Sequence, residues 1–289
     1  MELGFSTMNT PEDLRPDVLG RELEARGYTS LFIGEHSHIP ASRRTPYPSG
    51  GEMPDQYRRM MDPFVSLTMA AMATERLHVG TGVCLVLEHH VLDLAKSAAT
   101  LDLVSDGRLL FGVGVGWNAE ELENHRPDVT WAQRYRATEE CVEALRRCWT
   151  DDDAEFHGEF FDFDPVWSFP KPAQQPHPPV LLGTGGRVGT QHAVRWADEW
   201  MPMDVALGGP RPDGVAKKIA RFREAAHAAG RDIPISLVTF GDPTPATLHH
   251  YRELGVVRTV IGAARTSWDD PGSTLPFLDR YADLIPELS

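Results

Sequence analysis

Gly34-Glu35-His36-Ser37-His38 ends the second apolar run of the chain with an imidazole beside a carboxylate. His36 and Glu35 are the candidate catalytic pair. Histidine titrates near neutrality, so at a strand end it can give a proton to a bound ring or take one from it. An isolated Glu-His pair reads equally well as a loop histidine bonded to a nearby carbonyl. His36 and His38 also have the look of a metal pair, but that chemistry needs His, Asp or a bridging Lys at other strand ends. The fifth to eighth strand candidates end without histidine, so no metal is expected.

Three glycine-rich segments accompany this pair. Gly80 and Gly82 interrupt Val79–Leu85, where bare main chain leaves room for a flat ligand or simply marks a bulge. Gly112-Val-Gly-Val-Gly116-Trp117-Asn118 ends the fourth strand, with Glu120-Glu121 following. It imitates a dinucleotide fingerprint, but its glycine spacing and its place in the chain are wrong for one. In Gly183-Thr184-Gly185-Gly186-Arg187, successive amides at a helix start beside a guanidinium suit a phosphate; a plain helix cap is the alternative. His89 and His90 read as loop residues, and Arg43, Arg44, Arg58 and Arg59 as surface charge that could meet an anionic tail.

The elements that must position these groups alternate. Apolar strand candidates are Leu3–Met8, Ser30–Gly34, Leu77–Leu85, Leu109–Val115, Val180–Gly183, Glu199–Met201, Ile235–Phe240 and Val256–Ile261. Helical patterns follow them at Glu12–Arg26, Pro63–Thr74, Leu92–Val104, Trp131–Trp149, Val188–Ala197, Pro212–Ala229, Pro245–Leu254 and Thr274–Ile285. Eight such units in 289 residues predict an α/β fold, a closed (β/α)8 TIM barrel in one domain spanning 1–289. Helix starts are marked by Thr10-Pro11, Asp62-Pro63 and Thr244-Pro245, and stops by Gly27, Gly107 and Gly230. Two long insertions stand out, 36–61 after the second strand and 151–179 before the fifth, the latter with an aromatic hairpin at 155–163. The first leaves the end of the barrel where chemistry is placed.

Composition narrows the partners. With 42 acidic and 28 basic residues the formal charge is −14, which repels phosphate backbones and anionic lipid, so neither nucleic acid nor membrane is expected. Cys84, Cys141 and Cys148 offer no disulfide framework, and no signal segment or membrane span is apparent, which fits a reducing cytoplasm.

Taken in order, Gly27-Tyr-Thr-Ser-Leu-Phe-Ile-Gly-Glu-His36, Thr45-Pro-Tyr-Pro-Ser-Gly-Gly-Glu52, Asp62-Pro-Phe-Val-Ser-Leu67, Thr74–Val83, Leu101–Arg108, Gly112–Glu121 and Ala197–Pro202 resemble the luciferase-like monooxygenase superfamily, in particular its deazaflavin-dependent oxidoreductase branch. The resemblance is dense over residues 1–205 and thin beyond. It implies the barrel fold and a bulge at Gly82–Val83, often a non-prolyl cis peptide, behind the central ring of the cofactor. It places His36, with Glu35 beside it, near the reactive edge of that ring. Gly116, Trp117 and Asn118 fall on the segment that contacts the cofactor, and Thr184, Gly185, Gly186 and Arg187 on the turn that takes its phosphate. The implied activity is hydride transfer between coenzyme F420 and a small organic substrate. The alternative on the same fold is FMN with O2, and relatives are often homodimers. One departure is plain: after the third strand the family usually carries a proline, whereas this chain has Glu88-His-His-Val91.

Overall fold

The computed structural model describes residues 1–209, 212–263, 265 and 270–288. Its strands are β1 (Glu2–Thr7), β2 (Ser30–Ile33), β3 (His78–Thr81), β4 (Leu109–Val113), β5 (Ala154–His157), β6 (Asp162–Val166), β7 (Val180–Leu182), β8 (Glu199–Trp200), β9 (Ser236–Val238) and β10 (Arg258–Ile261). β5 and β6 pair with each other as an antiparallel hairpin, where an aromatic hairpin is expected. The other eight form one parallel sheet in the order β8-β7-β4-β3-β2-β1-β10-β9. Parallel bridges Trp200–Ile235 and Met203–Val238 join its two edges, so the sheet closes as a (β/α)8 barrel.

Each barrel strand is short and leads into a helix before the next barrel strand. The helices are α1 (Pro16–Ala25), α2 (Pro63–Met72), α3 (Val91–Val104), α4 (Ala119–His125), α5 (Arg134–Thr150), α6 (Arg187–Trp196), α7 (Pro212–Ala228), α8 (Pro245–Glu253), α9 (Thr274–Ala282) and α10 (Ile285–Leu288). Side-chain caps fix two of the starts: Asp62 accepts from the Val65 amide at 2.8 Å and Thr244 from the Thr247 amide at 3.1 Å. Gly27 takes φ +84° after α1, the left-handed stop that a β-carbon would disfavour. The signal at Thr10-Pro11 misleads, because Asp13 accepts from both Thr10 N and Oγ1 and makes a separate turn. The helix therefore begins at Pro16 rather than Glu12. α4 is unforeseen; it lies directly behind Trp117 and Asn118.

Alternation divides each strand between two layers. Leu31, Ile33, Val79, Leu109, Phe111, Val180 and Leu182 face the helices in the main core. Phe32, Leu110, Leu181, Met201 and Val260 form a second cluster, with Val83 and Val238 packed against it, that fills the barrel interior. At the amino-terminal mouth Arg258 reaches Glu2 at 2.9 Å and Glu199 at 3.1 Å and closes that end. The carboxyl end stays open. Cys84, Cys141 and Cys148 are buried free thiols. Among the described residues no helix is long and apolar enough to cross a membrane.

Candidate active site

The carboxyl ends of the strands converge on two adjoining cavities of about 290 and 260 Å³, in the range where ligand pockets begin. The first is lined by Ser6–Met8 at the end of β1, Gly34–His36 after β2, Gly82, Val83 and Leu85 after β3, and Gly114–Trp117 after β4. Gly183, Met203, Phe240, Gly262 and Ala263 complete it from the remaining strands. Tyr57 and Met60 reach it from the 36–61 insertion. The second shares Ser6, Gly82, Val83, Gly183, Met203 and Ala263 and extends to Thr184, Gly185 and Ala206.

Val83 is common to both cavities, and the glycines around it are there on its account. The peptide Gly82–Val83 is cis, at the position implied by the sequence resemblance. A β-carbon on Gly114 would lie 2.2 Å from Val83 Cγ2, and one on Gly183 would lie 2.4 Å from Val83 Cγ1. Neither distance is sterically allowed, so β4 and β7 give up side chains to seat one valine. Gly80 has a different reason: its β-carbon would meet the Phe32 ring at 2.6 Å and the Leu110 carbonyl at 2.9 Å, deep in the barrel interior. It belongs to packing below the site.

His36 faces the first cavity with both ring nitrogens engaged. Trp117 donates its indole N–H to Nε2 at 3.0 Å, and Nδ1 lies 2.7 Å from Glu121 Oε2. An indole nitrogen only donates, so Nε2 must be the bare nitrogen and Nδ1 carries the proton toward the carboxylate. The imidazole is thereby fixed in one tautomer. Tyr57 and Trp117 both meet the ring edge-on at 5.5 Å between centroids, and burial raises the Tyr57 hydroxyl well above its ordinary range. Glu120, one residue before Glu121, holds the insertion down. It accepts from Ser42 Oγ at 3.0 Å, from Arg44 N at 2.7 Å, from Thr45 N and from Thr45 Oγ1. Burial opposes its charge, but the Thr45 and Ser42 donors outweigh burial and hold its carboxyl well below the usual range.

Both oxygens of Glu35 are taken: Oε2 accepts from the Leu85 amide and Oε1 pairs with His89 Nε2, each at 2.7 Å. Burial works against charge on His89, yet the contact with Glu35 carries its pKa above the ordinary histidine value. Glu35, Cys84 and His89 bring ligand-type atoms within 4.8 Å of one another. The carboxylate there is already satisfied by an amide and an imidazole, and burial drives the Cys84 thiol up, away from the thiolate that binds metal. His36 and His38 point to different partners, His38 to Ser37 and Asn124, so they do not form a metal pair.

The glycine-rich turn after β7 leads into α6. Gly186 is its N-cap, with no side chain capping the helix, and Gly186 and Arg187 lie exposed outside both cavities. Thr184 anchors the turn through its carbonyl, which accepts from Trp200 Nε1 at 2.6 Å, and its hydroxyl, 3.1 Å from that of Tyr135. Open amides at a helix start are an anion seat. Asn118 is the outlier among the expected contacts: it caps α4, is buried, and its amide has no hydrogen-bond partner among the described residues.

Comparison with known proteins decides the family. The profile described as luciferase-like monooxygenase matches residues 14–255. The chain belongs to the luciferase-like monooxygenase family. An uncharacterised protein of Mycobacterium tuberculosis is 36% identical to this luciferase-like chain over 292 aligned residues, 98% of each. A protein of Pseudomonas putida named FMNH(2)-dependent dimethylsulfone monooxygenase is 32% identical over 147 residues, 50% of this chain and 39% of that one. An M. tuberculosis protein named F420-dependent hydroxymycolic acid dehydrogenase is 27% identical over 179 residues, 62% of this chain and 48% of that one. Among solved structures, a monooxygenase from Streptomyces bottropensis superposes with a TM-score of 0.80 at 20% identity, covering all of both chains.

Sequence reasoning about this luciferase-like chain missed several residues of the site. Tyr57 and Met60 lie in an insertion without periodicity, and Met203 and Phe240 just beyond two strand ends, where one sequence cannot say which side chains turn inward. Glu121 had a faint signal only in lying just after the Gly116-Trp117-Asn118 segment, within the first turn of α4.

Proposed function

We propose that this luciferase-like chain is an oxidoreductase that binds coenzyme F420 against Val83, with the charged tail at the start of α6, and exchanges hydride with a small organic substrate. The observation that carries this reading is the seating of Val83 between Gly114 and Gly183, where any β-carbon would collide with it. A flat heterocycle needs a floor of that kind, apolar and level, at the mouth of a closed barrel. The residues fit the group: a bare slot, an apolar cavity, and an uncapped helix start beside Arg187. Bound there, a deazaflavin supplies two-electron hydride chemistry.

The chain's own residues would then do four things. Val83 would support the ring. Gly185, Gly186 and Arg187 would hold the phosphate through main-chain amides and a guanidinium. His36, which faces the cavity, would manage the proton that accompanies hydride transfer. Tyr57 and Met60, on an insertion pinned by Glu120, cover the cavity and limit water. Glu35 we assign to shaping the turn at Leu85 and His89, to which its two oxygens are bonded.

FMN with O2 is the second reading, favoured by the FMNH(2)-dependent relative. Fluorescence titration of the purified protein with F420 and with FMN tests both, followed by oxygen uptake with whichever binds. F420 binding without oxygen uptake is the expected result. FMN binding with oxygen uptake selects the second reading, and failure to bind either overturns both.

A further inference from the structure

Behind His36 the acidic residues continue outward. Glu121 has a side-chain exposure of 1%, and its Oε1 is buried without a donor among the described residues, although Oε2 is held by His36. The Val86–Glu88 turn packs against α4 and brings Glu88, at 5% side-chain exposure, beside Glu121. Two buried carboxylates in contact cannot both be ionised without large cost, and one proton between them relieves it. Burial, and then the charges of Glu121 and Glu35, push the Glu88 carboxyl far above the ordinary range, so the shared proton rests on Glu88. That proton gives Glu121 Oε1 its missing donor. On the far side, Glu88 Oε2 is 3.5 Å from Ser37 Oγ and 3.9 Å from His125 Nε2. Ser37 Oγ in turn lies 2.7 Å from His125 Nε2 and 2.9 Å from His38 Nδ1. Ser37 is exposed and the His125 side chain is 29% exposed, so the series of groups runs from cavity to water.

We propose that Glu121, Glu88, Ser37 and His125 form a proton path joining His36 in the cavity to bulk solvent. This rests on the oxidoreductase reading, in which a substrate losing hydride from a carbon that bears oxygen must also shed a proton. The steps balance. His36 Nε2 takes that proton once the Trp117 indole has turned aside, and Nδ1 passes its own to Glu121 Oε2. Glu88 releases its carboxyl proton to Ser37 and His125, and thence to water. The group begins as Nδ1–H His36, ionised Glu121 and protonated Glu88 and passes to Nε2–H His36, protonated Glu121 and ionised Glu88; transfer of the Glu121 proton to Glu88 and return of the imidazole to its Nδ1–H form then restore the start. One proton has left the cavity and the total charge is unchanged. Substrate reduction runs the same steps inward.

The other titratable groups facing Glu88 shape the path without carrying it. Glu35, from the end of β2, adds negative charge but is bonded to Leu85 and His89. Cys84 is buried and stays a thiol. Burial and then the neighbouring His38 lower His125 below the ordinary histidine value, so near neutral pH it is an open proton acceptor at the exit.

Three measurements decide the proposal. Infrared spectroscopy of the full-length protein without cofactor should show a protonated-carboxyl stretch at neutral pH that disappears in Glu88→Gln; an unchanged band overturns the proposal. With cofactor bound, Glu88→Gln should lower kcat about a hundredfold, the scale of lost proton transfer, with KM and cofactor affinity little changed. His125→Ala should slow turnover and be rescued by added imidazole, whereas Glu88→Gln should not be. Full activity in Glu88→Gln, or a His125→Ala defect that imidazole leaves untouched, overturns the path. A protein that binds neither cofactor defeats the oxidoreductase reading, and the infrared band still decides whether Glu88 and Glu121 share a proton.

Discussion

The indole of Trp117 donates to Nε2 of His36 at 3.0 Å, which leaves the histidine proton on Nδ1, facing Glu121. Trp117→Phe keeps an aromatic wall and removes the indole N–H that donates to Nε2. A neutral hydrogen bond contributes about 1 kcal/mol, roughly a fivefold bias in the tautomer ratio. Nitrogen-15 NMR of the histidine rings should show the Nδ1–H form for His36 in both proteins, with the Nε2–H share about fivefold larger in the variant because Glu121 still holds the proton on Nδ1. An identical spectrum would mean that Glu121 alone sets the tautomer.

The seat of Val83 predicts a rescue. Gly183→Ala drives a methyl to within 2.4 Å of Val83 Cγ1 and should cost about 1–3 kcal/mol of stability, as overpacking does. Val83→Ala removes the colliding atoms, so the double variant should regain most of that loss. Chemical unfolding of the four proteins gives the coupling directly. Additive effects would show that Gly183 is glycine for some reason other than Val83. Cofactor affinity, titrated on the same proteins, should fall in Gly183→Ala ahead of any global unfolding.

Strand count and barrel closure were legible because the local signals agreed: apolar runs of strand length, proline after a polar cap, glycine after a helix. Where such signals conflicted the reading slipped, as at Thr10-Pro11, whose cap-like pattern serves an Asp13 turn. Within the site, glycines could be read as positions without side chains, but not what filled the vacated space. Gly80 and Gly82 look alike in the sequence, yet one makes room for Phe32 inside the barrel and the other precedes Val83 at the mouth. Glu88 and Glu121 were invisible as a pair, because their contact joins α4 to the Val86–Glu88 turn through the fold and nothing local marks a carboxylate as buried.

Gly186 offers a test in which stability and binding move in opposite directions. It caps α6 with φ −78°, and a β-carbon there meets nothing within 4 Å, so Gly186→Asp fits without strain. A carboxylate at a helix start satisfies amides and complements the helix dipole, adding about 0.5 kcal/mol to the cofactor-free protein. The same charge repels a phosphate seated on those amides. The variant should therefore unfold slightly later in denaturant and bind its cofactor at least tenfold more weakly, roughly 1.4 kcal/mol. Unchanged affinity would place the anionic tail elsewhere.

Glu120 makes the cover over the cavity sensitive to acid. Its carboxylate gathers the Ser42 and Thr45 hydroxyls and the Arg44 and Thr45 amides, and those donors depress its pKa in the folded state. A depressed carboxylate stabilises the closed insertion fully above its unfolded value, about 4. That contribution fades as pH falls through the lower, folded value. Pepsin cleavage within residues 36–61 should thus be slow at the upper end of the enzyme's range and rise steeply below about pH 4. Glu120→Gln keeps the shape but loses the charge-assisted bonds, at a cost on the order of 2 kcal/mol, so its open population should be roughly thirtyfold higher near neutrality. In that variant the steep acid dependence should vanish. If it persists, some other carboxylate holds the insertion shut.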